Sequence, residues 1–167
     1  AAEASSLGGG ALVVQALHLH PHSVEVQEQG CVALRVVASA GEEAWAAAAS
    51  PEGIRALLES LRRHPTHLKI QSFGVAALAT LPCDEEACLE SFVANDGVAL
   101  LLQAIRGHPS SVLLQESGYF LLRSVGLQSS DCRERIAELD GIRHILEGMQ
   151  LHPSLVKAVL HLIGTRV

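Results

Sequence analysis

Nine histidines are the side chains best placed to do chemistry in this 167-residue chain. Imidazole binds metals and exchanges protons near neutral pH. Four of them, His20, His64, His108 and His152, each precede a proline and stand 44 residues apart. Copies of one helical unit would hold them roughly 10 Å apart, the usual interaxial distance. Zinc–nitrogen bonds are about 2 Å long, so the four cannot share a metal. At the C-terminus of a helix, each would instead meet the last carbonyls and the negative end of the dipole. His18, His20 and His22 have the density of a metal tract, but Pro21 breaks the helix that would align them.

Serine and cysteine supply nucleophiles without a motif. The sequence has no G-x-S-x-G elbow, no H-E-x-x-H, and no glycine-rich phosphate loop following a strand. Gly8-Gly9-Gly10 reads as a flexible entry to a helix. Glu42-Glu43 and Glu85-Glu86 stand near helix starts, where acids are stabilised by the dipole. Cys31, Cys83, Cys88 and Cys132 fall at irregular spacings with no C-x-x-C, which points to a reducing compartment. Cys31 lies in an apolar stretch, where a thiol behaves as a small hydrophobe. No enzyme activity, cofactor or metal is expected, and the expected location is the cytoplasm, with the nucleus as alternative.

A net charge of −6 and scattered basic residues argue against neutralising phosphates, so no nucleic acid is expected. The apolar run from Ala11 to Leu17 is too short for a membrane span. The hydrophobic content of 49% is mostly Leu, Val and Ala, with 3% aromatic residues, which suits close packing of helices.

The elements that must position these groups follow the same 44-residue step. It links Gly9, Gly53, Gly97 and Gly141; Gln27, Gln71 and Gln115; and Gly30, Gly74 and Gly118. A fixed period of this size marks a chain of stacked units. In one unit, Asp84 to Asn95 opens with acids and carries Leu89, Phe92 and Val93 at helical spacing. Asp96-Gly97 then breaks the path, because glycine reaches dihedrals that other residues resist. Val98 to Gly107 forms a second helix, ended by Pro109. A third runs from about Ser110 to Val125, with Ser110 or Ser111 as N-cap. Gly118 inside it implies a helix passing too close for a side chain. The expected units are a partial one at 9–50, complete ones at 51–95 and 96–139, and a partial one at 140–167. Without an initiator Met and with both end units cut, the chain is expected to be a piece of a longer protein. The apolar Leu155, Val156, Val159, Leu160, Leu162 and Ile163 are expected to pack against further structure.

Three helices in 44 residues resemble the armadillo repeat. Gly53-Ile54-Arg55-Ala56-Leu57-Leu58 and its copies from Gly97 and Gly141 are similar to the start of an armadillo second helix. Val26-Gln27-Glu28-Gln29-Gly30-Cys31-Val32-Ala33-Leu34 resembles the core of the third. The resemblance implies an all-α fold, a right-handed superhelix of three-helix repeats with third helices lining its concave face. It also implies a protein or peptide as partner. The Trp and Asn that grip peptides in nuclear-import and catenin-type members are replaced here. Val32, Ala76 and Phe120 take the first place; Val36, Thr80 and Ser124 take the second. What remains is a shallow apolar strip with a polar rim: Glu28, Val32, Arg35 and Val36 on one unit, Ala76 and Thr80 on the next, Glu116, Phe120, Arg123 and Ser124 on the third. Such a strip suits a helix laid in a groove. The expected role is a non-enzymatic interaction scaffold. The alternative is a segment packing against other domains of its own chain, for example a kinase-like one.

Overall fold

Proline and glycine set the helix ends. The computed structural model describes residues 8–38, 49–80 and 85–152. Among them are nine helices and no strand, so the chain is all-α there. Four helices run up to a His-Pro pair in the sequence: α1 (Gly9–Leu19), α3 (Pro51–Arg63), α6 (Gly97–Gly107) and α9 (Gly141–Leu151). Three follow such a pair: α2 (Val24–Ala38), α4 (Leu68–Leu78) and α7 (Val112–Gln128). Two short helices, α5 (Glu86–Ala94) and α8 (Ser130–Glu138), lead into α6 and α9. Glu42, Glu43, Cys83 and the apolar segment from Leu155 to Ile163 lie outside the described residues.

Across the His-Pro turns α1 pairs with α2, α3 with α4 and α6 with α7, and α4 packs against both α2 and α7. The core between them is aliphatic, with Leu34, Leu57, Leu58, Leu101 and Leu114 fully buried. The recurrent glycines sit where helices meet. A Cβ on Gly74 would stand 2.9 Å from Leu61 Cδ2, and one on Gly118 would stand 2.8 Å from Ile105 Cδ1. One on Gly30 would collide with Leu17. Each side-chain-free position therefore receives the last buried aliphatic residue of the preceding helix.

The turn at Asp96-Gly97 works differently from the expectation. Asp96 takes the left-handed conformation at φ 57°, and Asp140 does the same at φ 55°. Asp tolerates that region better than most residues because its short polar side chain bonds locally. Gly97 is needed for space, since a Cβ there would lie 2.5 Å from the Phe92 ring. In α5 the buried face is Cys88 and Phe92, one turn apart, while Val93 is 41% exposed. α5 lies on α3 and α6 through that one stripe, which leaves Val93 at its edge. α7 is capped by Ser111, whose Oγ accepts from Leu114 N at 3.4 Å. It continues past Val125 to Gln128.

Proline leaves a specific debt at each turn. The carbonyl four residues before it has no N–H to accept from. Those carbonyls belong to Leu17, Leu61 and Ile105, and a buried glutamine ten residues on fills each. Gln27 Nε2 donates to Leu17 O at 2.9 Å, Gln71 Nε2 to Leu61 O at 2.8 Å, and Gln115 Nε2 to Ile105 O at 2.9 Å. The same amides also reach His20 O, His64 O and His108 O. On the acceptor side, Gln27 Oε1 takes a bond from Ser60 Oγ, and Gln115 Oε1 takes one from Tyr119 OH at 2.5 Å. Arginines close the short helices likewise: Arg62 donates to Asn95 O at 2.8 Å, and Arg106 to Leu139 O.

Three of the histidines each bond the proline carbonyl of the preceding His-Pro pair. His64 Nε2 bonds Pro21 O at 3.1 Å, His108 Nε2 bonds Pro65 O at 3.0 Å, and His152 Nε2 bonds Pro109 O at 2.6 Å. A carbonyl only accepts, so Nε2 carries the proton. His18, His20 and His22 are exposed.

Candidate interaction surface

The post-turn helices α2, α4 and α7 carry every residue of the expected strip except Thr80, which lies two residues past the end of α4, and they lie side by side with α4 between the others. Their register follows from the turns. Because each helix starts four residues after its His, positions 28, 72 and 116 face alike, as do 32, 76 and 120.

Between α2 and α4 the rim is tied. Glu28 accepts from Lys69 Nζ at 2.8 Å, and its other oxygen lies 3.8 Å from His67 Nε2. His67 Nδ1 accepts from Ile70 N as the cap of α4, which places the ring proton on Nε2, facing that carboxylate. Seven residues along α2, the Arg35 guanidinium stands over the Phe73 ring, 5.7 Å from its centre. A cation above a ring face is attracted to its electron density. Lys69 and Phe73 were not singled out from the sequence. They are the partners that position Glu28 and Arg35, and only the packing of α4 on α2 brings them together.

Further along, Val32 is half-buried and Val36 is 57% exposed. Ala76 corrects the expected strip: it is 5% exposed, because α2 and α7 flank α4 on both sides and a methyl group cannot reach past them. Thr80 is exposed, with its hydroxyl turned back to Ala77 O at 2.7 Å. Ser124 likewise donates to Phe120 O at 3.0 Å. Phe120 itself is 40% exposed. Glu116 and Arg123, one turn to either side of it, are exposed and have no hydrogen bond or ion pair among the described residues. The structure thus gathers an acid, an aromatic ring and a base along one stripe of α7.

Behind the strip the polar groups are sealed in. Burial pushes the Cys31 thiol up to about 12, against a smaller opposing hydrogen bond from Ser60. Burial likewise pushes the Tyr119 hydroxyl up to about 12. Neither group ionises near neutral pH, so neither is an activated nucleophile. Cavities of about 460 Å³ and 360 Å³ open elsewhere, beside the short helices: Glu86, Leu89, Glu90, Val93 and Asp131 line the first, and Ala99, Leu102 and Arg106 the second. Among the described residues no three His, Cys, Asp or Glu side chains are placed to hold a metal. No helix there is long and apolar enough to cross a membrane.

Fold and surface together define an all-α chain whose candidate site is an exposed helical strip. Comparison with protein-family models, with curated proteins and with solved structures finds no match.

Proposed function

We propose that this chain is an armadillo-type stack of three-helix repeats, a right-handed superhelix with a 44-residue period, acting as a non-enzymatic scaffold for protein partners. Support for the repeat comes from one set of bonds recurring at that interval: glutamine to the orphaned carbonyl, and histidine to the proline of the unit before. The observation that carries the binding role is Phe120, an aromatic ring 40% exposed between Glu116 and Arg123. Aromatic rings and arginines dominate binding energy at interfaces. The partner is a protein or peptide, and the cytoplasm or nucleus is its proposed setting.

The test is partner capture from cell extract by the wild-type chain, by Phe120→Ala and by Arg123→Glu, with Leu151→Ala, also at an exposed apolar position, as control. Loss with the first two and retention with the third is expected. Equal capture by all four chains would refute the role.

A second reading has its own observation. Ile142 and Leu146 of α9 are 64% and 55% exposed, whereas their register equivalents Ile54, Leu58, Val98 and Leu102 are buried. In α3 and α6 those positions are covered by the helices that follow. An open aliphatic face on α9 supports the reading that the chain packs against other domains of its parent, kinase-like or otherwise. Ile142→Lys would then weaken domain docking and leave the α7 strip unaffected.

A further inference from the structure

The short helices rest on longer ones, α5 on α3 and α6, and α8 on α6, α7 and α9. Between α5 and α8 the surface stays open. The cavity of about 460 Å³ lies there, and Val93 and Asp131 also line a second of about 200 Å³, so the two form one groove. α5 gives this groove the stripe Glu86, Leu89, Glu90 and Val93, at i, i+3, i+4 and i+7. Its other stripe, Cys88 and Phe92, is the one that packs. Leu89 is half-buried and Val93 exposed, so the floor is aliphatic. The exposed carboxylates of Glu86, Glu90 and, from α8, Asp131 surround it.

The charge of this groove is uncompensated. Glu86 and Glu90 have no hydrogen bond or ion pair among the described residues. Asp131 accepts from the neighbouring Ser130 hydroxyl at 3.2 Å and joins no ion pair among them. The arginines of α8 are committed elsewhere: Arg133 donates to Gly126 O at 2.7 Å, and Arg135 pairs with Glu138 at 3.1 Å. Helix dipoles account for Glu86 and Asp131, which lie in first turns. Glu90 stands a turn further on, and four residues from Glu86 it adds repulsion. A cation brought by a partner would offset that cost.

We propose that this groove docks an arginine-bearing peptide segment of a partner protein. Arginine matches both parts of the groove: its aliphatic stem covers apolar surface while its guanidinium bonds carboxylates in planar pairs. The net charge of −6 adds attraction for a cationic partner and repels nucleic acid and anionic lipid. The charged and apolar residues of the groove come from α5 and α8, so the inference holds whether or not the α7 strip binds a partner.

Fluorescence polarisation on the full chain tests it. The probe is a fluorescein-labelled nonapeptide of alternating arginine and leucine, and the control is one of alternating glutamate and leucine. Binding of the first and none of the second is expected. Glu90→Lys should weaken binding about tenfold, whereas Glu25→Lys, the same charge change at an exposed position of α2, should weaken it less than about twofold. Val93→Ser should weaken it about fivefold by removing part of the aliphatic floor. Equal losses with Glu90→Lys and Glu25→Lys would reduce the attraction to net charge and overturn the proposal. An unchanged affinity in Val93→Ser, or no binding of the arginine peptide, would overturn it too. Should a variant fail to fold by circular dichroism, a photo-reactive residue at Val93 gives an independent reading. Cross-links to the arginine peptide are expected. Links to a second copy, or to a distant segment of the same chain, that persist with the peptide present would name another occupant and overturn the proposal.

Discussion

Replacing Gln71 by leucine isolates the link between proline and glutamine at each turn. Pro65 has no N–H, so Leu61 O depends on the Gln71 amide, 2.8 Å away. His64 O, the second acceptor, also receives His67 N at 3.1 Å and keeps a partner without Gln71. Gln71→Leu therefore orphans one carbonyl beside a side chain that is 2% exposed. An unsatisfied buried group costs about 1–3 kcal/mol, and leucine recovers part of the apolar burial, so a loss of about 2 kcal/mol is expected. For a chain of this length that lowers the melting temperature by about 4–8 °C. Urea unfolding followed by circular dichroism measures it. The decisive comparison adds Pro65→Ala, which returns an N–H able to reach Leu61 O. In the wild-type background that change costs up to about 1 kcal/mol through the unfolded chain. In the Gln71→Leu background it should restore stability. Identical effects of Pro65→Ala in both backgrounds, or a Gln71→Leu cost below about 0.5 kcal/mol, would show that the amide does not serve the proline's orphan.

Two further outcomes are expected. A Cβ at Gly141 would lie 2.8 Å from Ile136 O, a backbone atom that cannot swing aside, so Gly141→Ala should destabilise by about 1–3 kcal/mol. At Gly107, where a Cβ meets nothing within 4 Å, the same change should be neutral or gain up to about 1 kcal/mol; chemical denaturation of both variants checks the contrast. Stability should fall as pH rises from 9 to 12. Cys31 and Tyr119 hold their protons up to about 12 in the folded chain, against 9.0 and 10.0 otherwise. The unfolded chain releases those protons first, so the stabilisation is complete below pH 9 and is lost through that window, by up to about 1.4 kcal/mol per pH unit for each group. Urea midpoints that stay level from pH 9 to 11 would contradict this.

The helices were legible because proline, glycine and serine punctuate them and leucine spacing fills them. The close approach at Gly30, Gly74 and Gly118 was legible too, since a glycine inside a helix needs a packing reason. The roles of Gln27, Gln71 and Gln115 were not read, although their interval was. Reaching a carbonyl ten residues back requires the turn to fold the chain onto itself, which periodicity does not encode. Asking which carbonyl each proline orphans would have found them. At Asp96-Gly97 the reading assigned the dihedral to glycine, whereas the Phe92 ring decides that residue and Asp96 bears the positive φ. On the strip, Phe120 and Val36 are exposed, but Ala76 is not: exposure there depends on two neighbouring helices rather than on its own.

The histidine bonds to the proline carbonyls also have a direction in time. In each, the acceptor is a proline carbonyl made 43 residues before the histidine that seeks it. On a ribosome, where earlier segments fold first, every new turn emerges to find its docking point already built. Pro21, Pro65 and Pro109 each wait for one later imidazole, and no unit has to hold an open donor for a partner not yet synthesised. The described helices can therefore dock in order of synthesis, one latch at a time.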